Sequence, residues 1–367
     1  MPIQTVSQAF SNEGIGAFSF RNRIINGDMG IAQRGTGATS NGVANSTLVY
    51  NTIDRWGYWA QDVSKFTVTQ SSTAPTGFST SALITSSTAL SVSSSTYYSF
   101  AQRIEGFNFA DLGFGTANAK SFTVSFWVRS SITGTFPFHC LNSGYSRSYA
   151  STFTINAANT WEQKTITVAG DTSGTWVGAT NGYGIEVGFT LAAGSTWFSP
   201  SANTWSSTPF GMGLSGATNF LATNGATLNI TGFQLEVGSA ATPFERRPYG
   251  TELALCQRYY FRFVPGASST FVTGGYNSSS TQFQGFLSFP VTMRTSPTAL
   301  EQSGTASNYG VVNQNGLTVC SSVPTFQDGN TQLARVAFTV SSGLTGGGAG
   351  VARSEAANAF LAWSVEL

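Results

Sequence analysis

The sequence predicts an all-β protein, with a jelly-roll β-sandwich followed by a smaller C-terminal β-sandwich and a short helical linker between them. Short stretches of alternating apolar and polar residues recur along the chain, which is the pattern of half-buried strands. The composition, with 41 glycines, 13% aromatic residues and 9% charged residues, is typical of sheets joined by many turns. No apolar stripe of helical period separates the strand candidates.

The first strand candidates follow one another at short spacing. The clearest is Ser121–Ser130, because it places Phe122, Val124, Phe126 and Val128 on one face. The others are Lys65–Gln70, Ala82–Ser86, Tyr97–Gly106, Ser151–Ile155, Glu162–Val168, Tyr183–Leu191 and Thr227–Val237, and the stretch around His139 is also strand-like. About eight strands with glycine, serine and asparagine turns predict a double-sheet jelly roll or a related sandwich.

The last of these strands contains a change of phase. Its apolar residues are Leu228 and Ile230, and then Phe233, Leu235 and Val237, so the alternation moves from even to odd positions. A strand that keeps one face buried can do this by inserting one residue. The sequence therefore predicts a β-bulge at Gly232.

A charged elbow follows this strand. Phe244–Pro248 concentrates charge, and Thr251–Gln257 is compatible with two turns of helix. One interpretation is a solvated linker. The other is an oligomer or domain interface of Glu245, Arg246 and Arg247, in which the arginines make bidentate bonds to carboxylates of a neighbouring subunit and are largely buried.

We therefore divide the chain into four parts: an N-terminal arm at residues 1–28, the jelly roll at 29–243, the elbow and helix at 244–260, and the C-terminal sandwich at 261–367. In the last part the strand candidates are Phe283–Val291, Gly310–Val319, Leu333–Val340 and Ala359–Leu367. Ser341–Ala352 is glycine-rich and is predicted to be a flexible loop.

Charge, cysteines and hydropathy exclude several classes of protein. The net charge is +1 and there is no basic run, which argues against nucleic-acid binding. Cys140, Cys256 and Cys320 are isolated, so we expect reduced thiols and neither a disulfide framework nor a metal or cofactor site. The N-terminus lacks the order of a signal peptide and no segment has the length of a membrane span. We expect synthesis in a cytoplasm and no membrane insertion.

No catalytic residue is predicted. His139 is the single histidine, and no motif for a nucleophile, a metal-dependent hydrolase or a phosphate site is present. Glycoside hydrolysis needs two carboxylates facing one bond. Asp111, Glu162, Glu186 and Glu236 are separated in sequence, so we predict that the protein is not an enzyme.

Aromatic residues are either core anchors or stacking surfaces for sugars. For Trp56 and Trp59 we favour the core, because aromatic rings supply much of the buried area of a sandwich. The long segment Ser195–Phe220 is predicted either to pack on a neighbouring subunit or cover its own chain, or else to face a ligand. The candidate glycan-binding residues are Trp197, Trp205, Tyr276 and Tyr309.

The low charge also predicts self-association. Monomeric sheet proteins protect their edge strands with lysines, prolines or bulges. Lysine and arginine together number only 17 in 367 residues. We therefore expect other copies of the chain to cover some edges.

Several strings resemble a family of tailed-bacteriophage tail-fibre and tail-tip proteins. The resemblance covers about residues 18–260. It lies in FRNRIINGDM (20–29) with QR (33–34) and IDRW (53–56), in SFAQRIEGFN (99–108) with TANAK (116–120) and SFWVRS (125–130), and in ITGFQLE (230–236) with TPFERRPYGTELALCQRY (242–259). Beyond residue 260 the chain resembles the family through FPVTMR (289–294).

This resemblance implies a structural virion protein. It implies a jelly roll similar to carbohydrate-binding modules, a homotrimer, and attachment to other virion proteins through the N-terminal arm. We expect a tail fibre or receptor-binding adhesin that contacts host surface polysaccharide with its C-terminal tip. The alternatives are a head-decorating or collar fibre and, less favoured, a polysaccharide-degrading enzyme.

Overall fold

The structure of the chain is a computed structural model that describes residues 20–35, 37, 39–40, 48–266 and 268–367. Most of the predicted N-terminal arm, residues 1–19, lies outside these ranges. The chain divides into two compact units. Unit 1 comprises residues 1–248 with Leu367, and unit 2 comprises residues 249–366.

Unit 1 is a sandwich of two antiparallel sheets, so the predicted all-β class is confirmed. Sheet A has the order β1-β3-β4-β12-β6-β9 and sheet B the order β11-β8-β7-β10-β5-β2. The strands are β1 (Thr39–Ser40), β2 (Gly57–Ala60), β3 (Phe66–Ser71), β4 (Ser81–Ser86), β5 (Tyr97–Glu105), β6 (Phe122–Ser130), β7 (Gly134–Asn142), β8 (Ser148–Ile155), β9 (Glu162–Val168), β10 (Tyr183–Ala193), β11 (Thr204–Ser206) and β12 (Thr227–Val237).

The eight strands predicted for this unit are all present, and the strand-like stretch around His139 is β7. The sequence did not predict β1, β2 or β11. All four residues of β2 are buried, so this strand has no alternating pattern to detect.

The core of unit 1 lies between the two sheets and is rich in aromatic rings. Trp56 stacks on Phe100 with ring centroids 5.1 Å apart, and Phe233 stacks on Phe126 at 5.7 Å. Trp56 is 2% exposed within this core, as predicted. Trp59 is also buried, at 1% exposed, but it packs in a separate cluster on the outer face of sheet B. Burial of such rings is a main source of the stability of a sandwich.

The predicted bulge in β12 is also confirmed. Thr231 lies opposite Trp127 and Gln234 lies opposite Ser125, so β12 has one residue more than β6 over this interval. Gly232 has a φ of +61°, in the left-handed region that glycine adopts at low cost. The extra residue turns Phe233 into the core beside Ile230.

Replacing Gly232 by alanine is expected to destabilise unit 1 by about 1–3 kcal/mol, because a non-glycine residue at this φ is strained. In addition, the added Cβ would lie 2.6 Å from Cζ of Phe78. Urea unfolding followed by tryptophan fluorescence measures this change. Gly178→Ala is the control, since a Cβ there meets nothing within 4 Å. Equal unfolding midpoints for the two variants would refute the prediction.

The elbow residues bind their own chain within unit 1. Glu245 accepts hydrogen bonds from the backbone N–H groups of Arg21 and Asn22, at 3.2 and 2.8 Å. Arg247 donates to the carbonyl oxygens of Asn22 and Ile24 and pairs with Glu245, and its side chain is 7% exposed. The guanidinium of Arg246 lies over the ring of Phe78, 4.6 Å from its centroid. Pairing of the two arginines with a neighbouring subunit stays a prediction.

Unit 2 begins with the helix α1 (Tyr249–Gln257), which contains the predicted Thr251–Gln257. A sheet of order β18-β17-β21-β14-β15-β20-β19 and a sheet of order β13-β22-β16 follow, and all pairs are antiparallel. The strands are β13 (Tyr260–Phe263), β14 (Thr270–Asn277), β15 (Gln282–Ser288), β16 (Glu301–Gln302), β17 (Tyr309–Asn313), β18 (Gly316–Val319), β19 (Thr325–Gly329), β20 (Leu333–Thr339), β21 (Ala349–Ser354) and β22 (Leu361–Ser364).

Two predictions for unit 2 were wrong. Gly310–Val319 is a hairpin of β17 and β18 rather than one strand, because the chain turns at Asn313–Gly316, where Gly316 has a φ of +97°. The predicted loop Ser341–Ala352 ends inside β21, which pairs with β14 and β17. The apolar alternation at the end of the chain is as predicted, with Leu361, Trp363 and Val365 buried.

The three cysteines are unbridged, in agreement with the expectation of reduced thiols, and all three are buried. Within the described ranges, no helix has the length and hydropathy that crossing a membrane requires.

Candidate functional site

The face of sheet B that points away from the core carries a buried ionic group. Phe100, Ile185 and Val187 enter the core, so the alternate residues Arg103 on β5 and Glu186 on β10 lie on the opposite face, directly across from each other. His139 on β7 lies on the same face, because Phe138 and Cys140 enter the core. Three distant parts of the sequence thus converge on one face of the sheet.

We call Trp59, Arg103, His139, Glu186 and Thr190 the Glu186 cluster. Glu186 accepts hydrogen bonds from Nε of Arg103 and from Nε1 of Trp59, both at 3.0 Å. His139 places Nε2 3.5 Å from Glu186 Oε1 and Nδ1 2.9 Å from the Thr190 hydroxyl oxygen. The side chains of His139 and Glu186 are fully buried.

The pKa values follow from these contacts. Burial favours the neutral carboxyl of Glu186, but the hydrogen bond from His139 and the charge of Arg103 outweigh it and hold the pKa of Glu186 below its ordinary value. Burial likewise acts to lower the pKa of Arg103, and the Glu186 carboxylate reverses this effect and raises it. The pair is therefore ionised in the folded protein.

An aromatic layer covers this cluster. Tyr145 and Phe210 stack with centroids 4.2 Å apart, and both rings contact Trp59. Trp197 contacts Tyr97 and Phe210, and its indole N–H donates to the Ser95 carbonyl oxygen at 2.6 Å. Trp197 and Phe210 belong to the segment Ser195–Phe220. This segment therefore covers the sheet, which is one of the roles that the sequence predicted for it.

A hydrogen-bonded chain also fixes this segment to the sheet. The Thr190 hydroxyl donates to the Met212 carbonyl oxygen at 2.7 Å and faces His139 on its other side. The Glu186 cluster therefore holds the covering segment in place and is itself shielded from solvent.

The other predicted acids have separate partners. Glu162 pairs with Lys164, Asp111 pairs with Arg23, and Glu236 accepts hydrogen bonds from Thr242 and Gln234. Glu186 is paired with Arg103 in its cluster, whereas a glycosidase site requires a second carboxylate across the bond that is cleaved. Among the residues that the structure describes, no three His, Cys, Asp or Glu side chains are grouped so that they could hold a metal ion.

Trp205 belongs to another aromatic group in unit 1. It contacts Tyr149, Phe114 and Trp176, and its indole N–H donates to the Ala169 carbonyl oxygen at 2.7 Å. The contacts of Trp205 are thus those of a packing residue at the margin of the core.

An open groove of about 480 Å³ lies beside the covering segment of unit 1. All of its lining residues are uncharged: Thr135, Thr152, Ser199, Pro200, Ser201, Ala202, Leu214, Ser215, Gly216 and Ala217. The groove offers hydroxyl groups and backbone atoms, but no aromatic ring for stacking.

Unit 2 presents a different surface. On β15, Phe283 and Leu287 enter the core, so Gln284 and Phe286 point outward. The same alternation places further apolar side chains on this outer face of the seven-stranded sheet. We call this surface the Tyr276 face; its exposed apolar residues are Phe271, Tyr276, Phe286, Leu317, Val319 and Leu333.

Two rings form the centre of the Tyr276 face. Tyr276 and Phe286 are 41% and 49% exposed, and they lie nearly parallel, with an angle of 23° and centroids 6.4 Å apart. Neighbouring strands hold them, since β14 pairs with β15. Exposed apolar patches of this kind mark interaction surfaces.

Polar groups surround the rings. Arg335 lies opposite Phe286 and binds Asp328 through Nε and a terminal nitrogen. The hydrogen bond that Arg335 donates to Asp328 raises the pKa of Arg335, and a further hydrogen bond with Tyr276 acts in the same direction. Gln284 lies opposite Tyr276. The rings are thus bordered by amide and guanidinium groups.

The four predicted glycan-binding residues occupy different settings. Tyr276 lies on the exposed face. Tyr309 is fully buried in the core of unit 2, where its hydroxyl donates to the Phe360 carbonyl oxygen at 2.6 Å, so a ligand cannot reach its ring in this structure. Trp197 and Trp205 pack in the two aromatic groups of unit 1. Within unit 1 the two tryptophans belong to different groups, and within unit 2 the two tyrosines lie on different faces of the sheet.

Sequence reasoning missed Phe271 and Phe286. A usable signal was present for Phe286, because it is out of phase with Phe283 and Leu287 and therefore belongs to the other face of the strand. For Phe271 the irregular pairing of β14 between Phe271 and Thr273 obscures the alternation.

Comparisons with known proteins complete this description. No protein-family model and no curated protein sequence matches the chain. Among solved structures, the enzymatically active domain of tailspike protein 4 from bacteriophage CBA120 is 16% identical over 59% of this chain and 21% of its own, with a TM-score of 0.30. A family 4 carbohydrate-binding module is 14% identical over 58% of this chain and 98% of its own, also at 0.30.

A third match is the family 11 carbohydrate-binding module of a cellulosomal cellulase from Clostridium thermocellum. It is 9% identical over 56% of this chain and 98% of its own, with a TM-score of 0.28. This chain spans about a fifth of the tailspike chain it matches. At these identities and TM-scores the likeness carries no argument about what this chain binds.

Proposed function

We propose that this chain is a structural virion protein of a tailed bacteriophage, a fibre or receptor-binding adhesin that contacts host surface glycans through the Tyr276 face. The exposed, nearly parallel pair of Tyr276 and Phe286 is the observation that carries the glycan-binding part. Sugar rings present apolar C–H faces that pack on aromatic rings, while their hydroxyl groups bond to the polar groups around them.

Unit 1 has the features of a supporting platform. Trp56 packs in the core and Trp59, Trp176, Trp197 and Trp205 pack in aromatic groups, and the indole N–H groups of Trp59, Trp197 and Trp205 bond to protein oxygens. The buried carboxylate of unit 1 is paired with Arg103 and lies 3.5 Å from the His139 ring, an arrangement that favours a structural role over catalysis. We therefore propose a protein without enzymatic activity.

Location and assembly complete the proposal. The strings shared with tail-fibre proteins between residues 18 and 260 support a place in the virion, with residues 1–28 as the anchor. A homotrimer accords with the small number of charges available to protect sheet edges. In a trimer, three copies of the Tyr276 face would raise the avidity of weak individual contacts.

The direct test is glycan binding by the full chain and by the variants Tyr276→Ala and Phe286→Ala. We expect each variant to bind immobilised host polysaccharide about tenfold more weakly, because loss of a central aromatic contact typically costs 1 kcal/mol or more. Phe107→Ala is the control, since Phe107 is 58% exposed and lies in unit 1. If both variants bound the polysaccharide as tightly as the unmodified chain, the Tyr276 face would not be the glycan-binding site.

A further inference from the structure

Beside its two rings, the Tyr276 face has an outward position without a side chain, and we call the open space above it the recess. Gly274 lies two residues before Tyr276 on β14 and opposite Val351 on β21. A Cβ built on Gly274 would meet no atom within 4 Å, so the space above its backbone is open. The outward positions around Gly274 carry side chains, and the absence of one here leaves a depression in the sheet surface.

Below the rings, one polar atom lacks a partner. Gln284 is 3% exposed and lies opposite Tyr276. Its amide nitrogen donates to Oε1 of Gln282 at 2.7 Å, but its own Oε1 has no hydrogen bond. Buried acceptors are nearly always paired, and an unpaired one costs about 1–3 kcal/mol. This oxygen has almost no exposed surface, so a ligand hydroxyl could bond to it only after the Gln284 side chain turned toward the rings.

The charges of the face are already balanced within it. Arg335 binds Asp328 through two nitrogens, and Arg353, opposite Phe271, binds Glu355 in the same way at 2.7 and 3.0 Å. Residues 249–366 contain five arginines, no lysine or histidine, and five acidic residues, so unit 2 has no net charge. Both of these guanidinium groups of the face already bind a carboxylate. An acidic polymer would therefore meet no unpaired guanidinium group there.

The shape argues against a second copy of the chain as the occupant. Sheets that pack face to face interlock their side chains across the interface. The Tyr276 face combines a recess without a side chain, an unpaired amide oxygen and two ion pairs. These features suit a small, hydroxyl-rich ring better than a flat apolar sheet.

We infer that the Tyr276 face binds an uncharged glycan, with one sugar ring stacked on Tyr276 and Phe286 and its edge seated in the recess over Gly274. This inference rests on the proposed glycan-binding function and adds the ligand class. The ring pair supplies stacking, the Gln284 amide oxygen accepts from a sugar hydroxyl once its side chain turns outward, and the paired arginines leave charged sugars without a partner.

The test uses the full chain and the variant Gly274→Leu, whose side chain would fill the recess. The control is Gly178→Leu in unit 1, because the Cβ of that residue also meets nothing within 4 Å. Binding is measured on an array of neutral oligosaccharides and of oligosaccharides that contain uronic or sialic acid, at low and high salt. Light scattering records the oligomeric state of each protein.

We expect binding to neutral oligosaccharides that changes little with salt, and at least a tenfold loss in Gly274→Leu but not in Gly178→Leu. Binding confined to acidic oligosaccharides, with affinity falling as salt rises, would overturn the assigned ligand class but not glycan binding itself. If Gly274→Leu kept full affinity, or if its oligomeric state changed, the inference that the glycan binds in the recess would be overturned. Failure of the unmodified chain to bind either class would instead overturn the proposed function.

Discussion

Replacing Glu186 by alanine is expected to destabilise unit 1 by about 3–5 kcal/mol, because removing one member of a buried ion pair leaves the other charge without compensation. Arg103, with a side chain 5% exposed, would lose its carboxylate partner, and the indole N–H of Trp59 would lose its acceptor. Urea unfolding can follow this unit by fluorescence, since Trp363 is the only tryptophan beyond Trp205.

The matched control is Asp111→Asn. Asp111 pairs with Arg23 at 2.8 Å, but its side chain is 49% exposed, and surface pairs contribute about 0–1 kcal/mol. An unfolding midpoint for Glu186→Ala equal to that of the control would show that the Glu186 cluster does not stabilise the sandwich.

Acid should reduce the difference between Glu186→Ala and the unmodified protein. The pKa of Glu186 in the folded state lies below its ordinary value of 4.5. The ionised carboxylate therefore contributes its full stabilisation above that value, and the contribution is lost as the pH falls through the folded-state pKa. A difference in stability that grows on acidification would contradict this linkage.

Replacing Phe233 by alanine is expected to destabilise unit 1 by a similar amount, about 3–5 kcal/mol, through loss of apolar burial and creation of a cavity. Phe233 is fully buried, and its ring lies between 5.3 and 6.4 Å, centroid to centroid, from its aromatic neighbours Trp56, Phe126, Phe138 and Phe189. It thus connects residues of both sheets. Urea unfolding, with the same fluorescence signal, measures the change.

Phe107→Ala removes a ring of the same size that is 58% exposed, so it should change the stability by no more than about 0.5 kcal/mol. If Phe233→Ala and Phe107→Ala unfolded at the same urea concentration, the aromatic core would not have the importance that its packing indicates. Because the bulge at Gly232 turns Phe233 inward, this experiment also tests the value of that bulge.

The pattern of residues along the sequence was enough to predict the features that depend only on residues close together in the chain. Alternation located β6, β9 and β12, and the change of phase around Gly232 located the bulge, because the side-chain period of a strand is a local property. Locality also explains the failures. β2 is buried throughout and shows no alternation, while the glycines of Ser341–Ala352 concealed the start of β21.

The candidate site depended on pairings that no local pattern contains. Arg103 and Glu186 are 83 residues apart, and only the register of β5 with β10 brings them together. Tyr276 and Tyr309 each lie beside a glycine in a strand of the same sheet, yet one ring is exposed and the other is buried. The sequence by itself determined the strands that show a clear alternation, the bulge and the low charge. The tertiary structure decided which aromatic rings face solvent, because that depends on which face of each strand the rest of the unit covers.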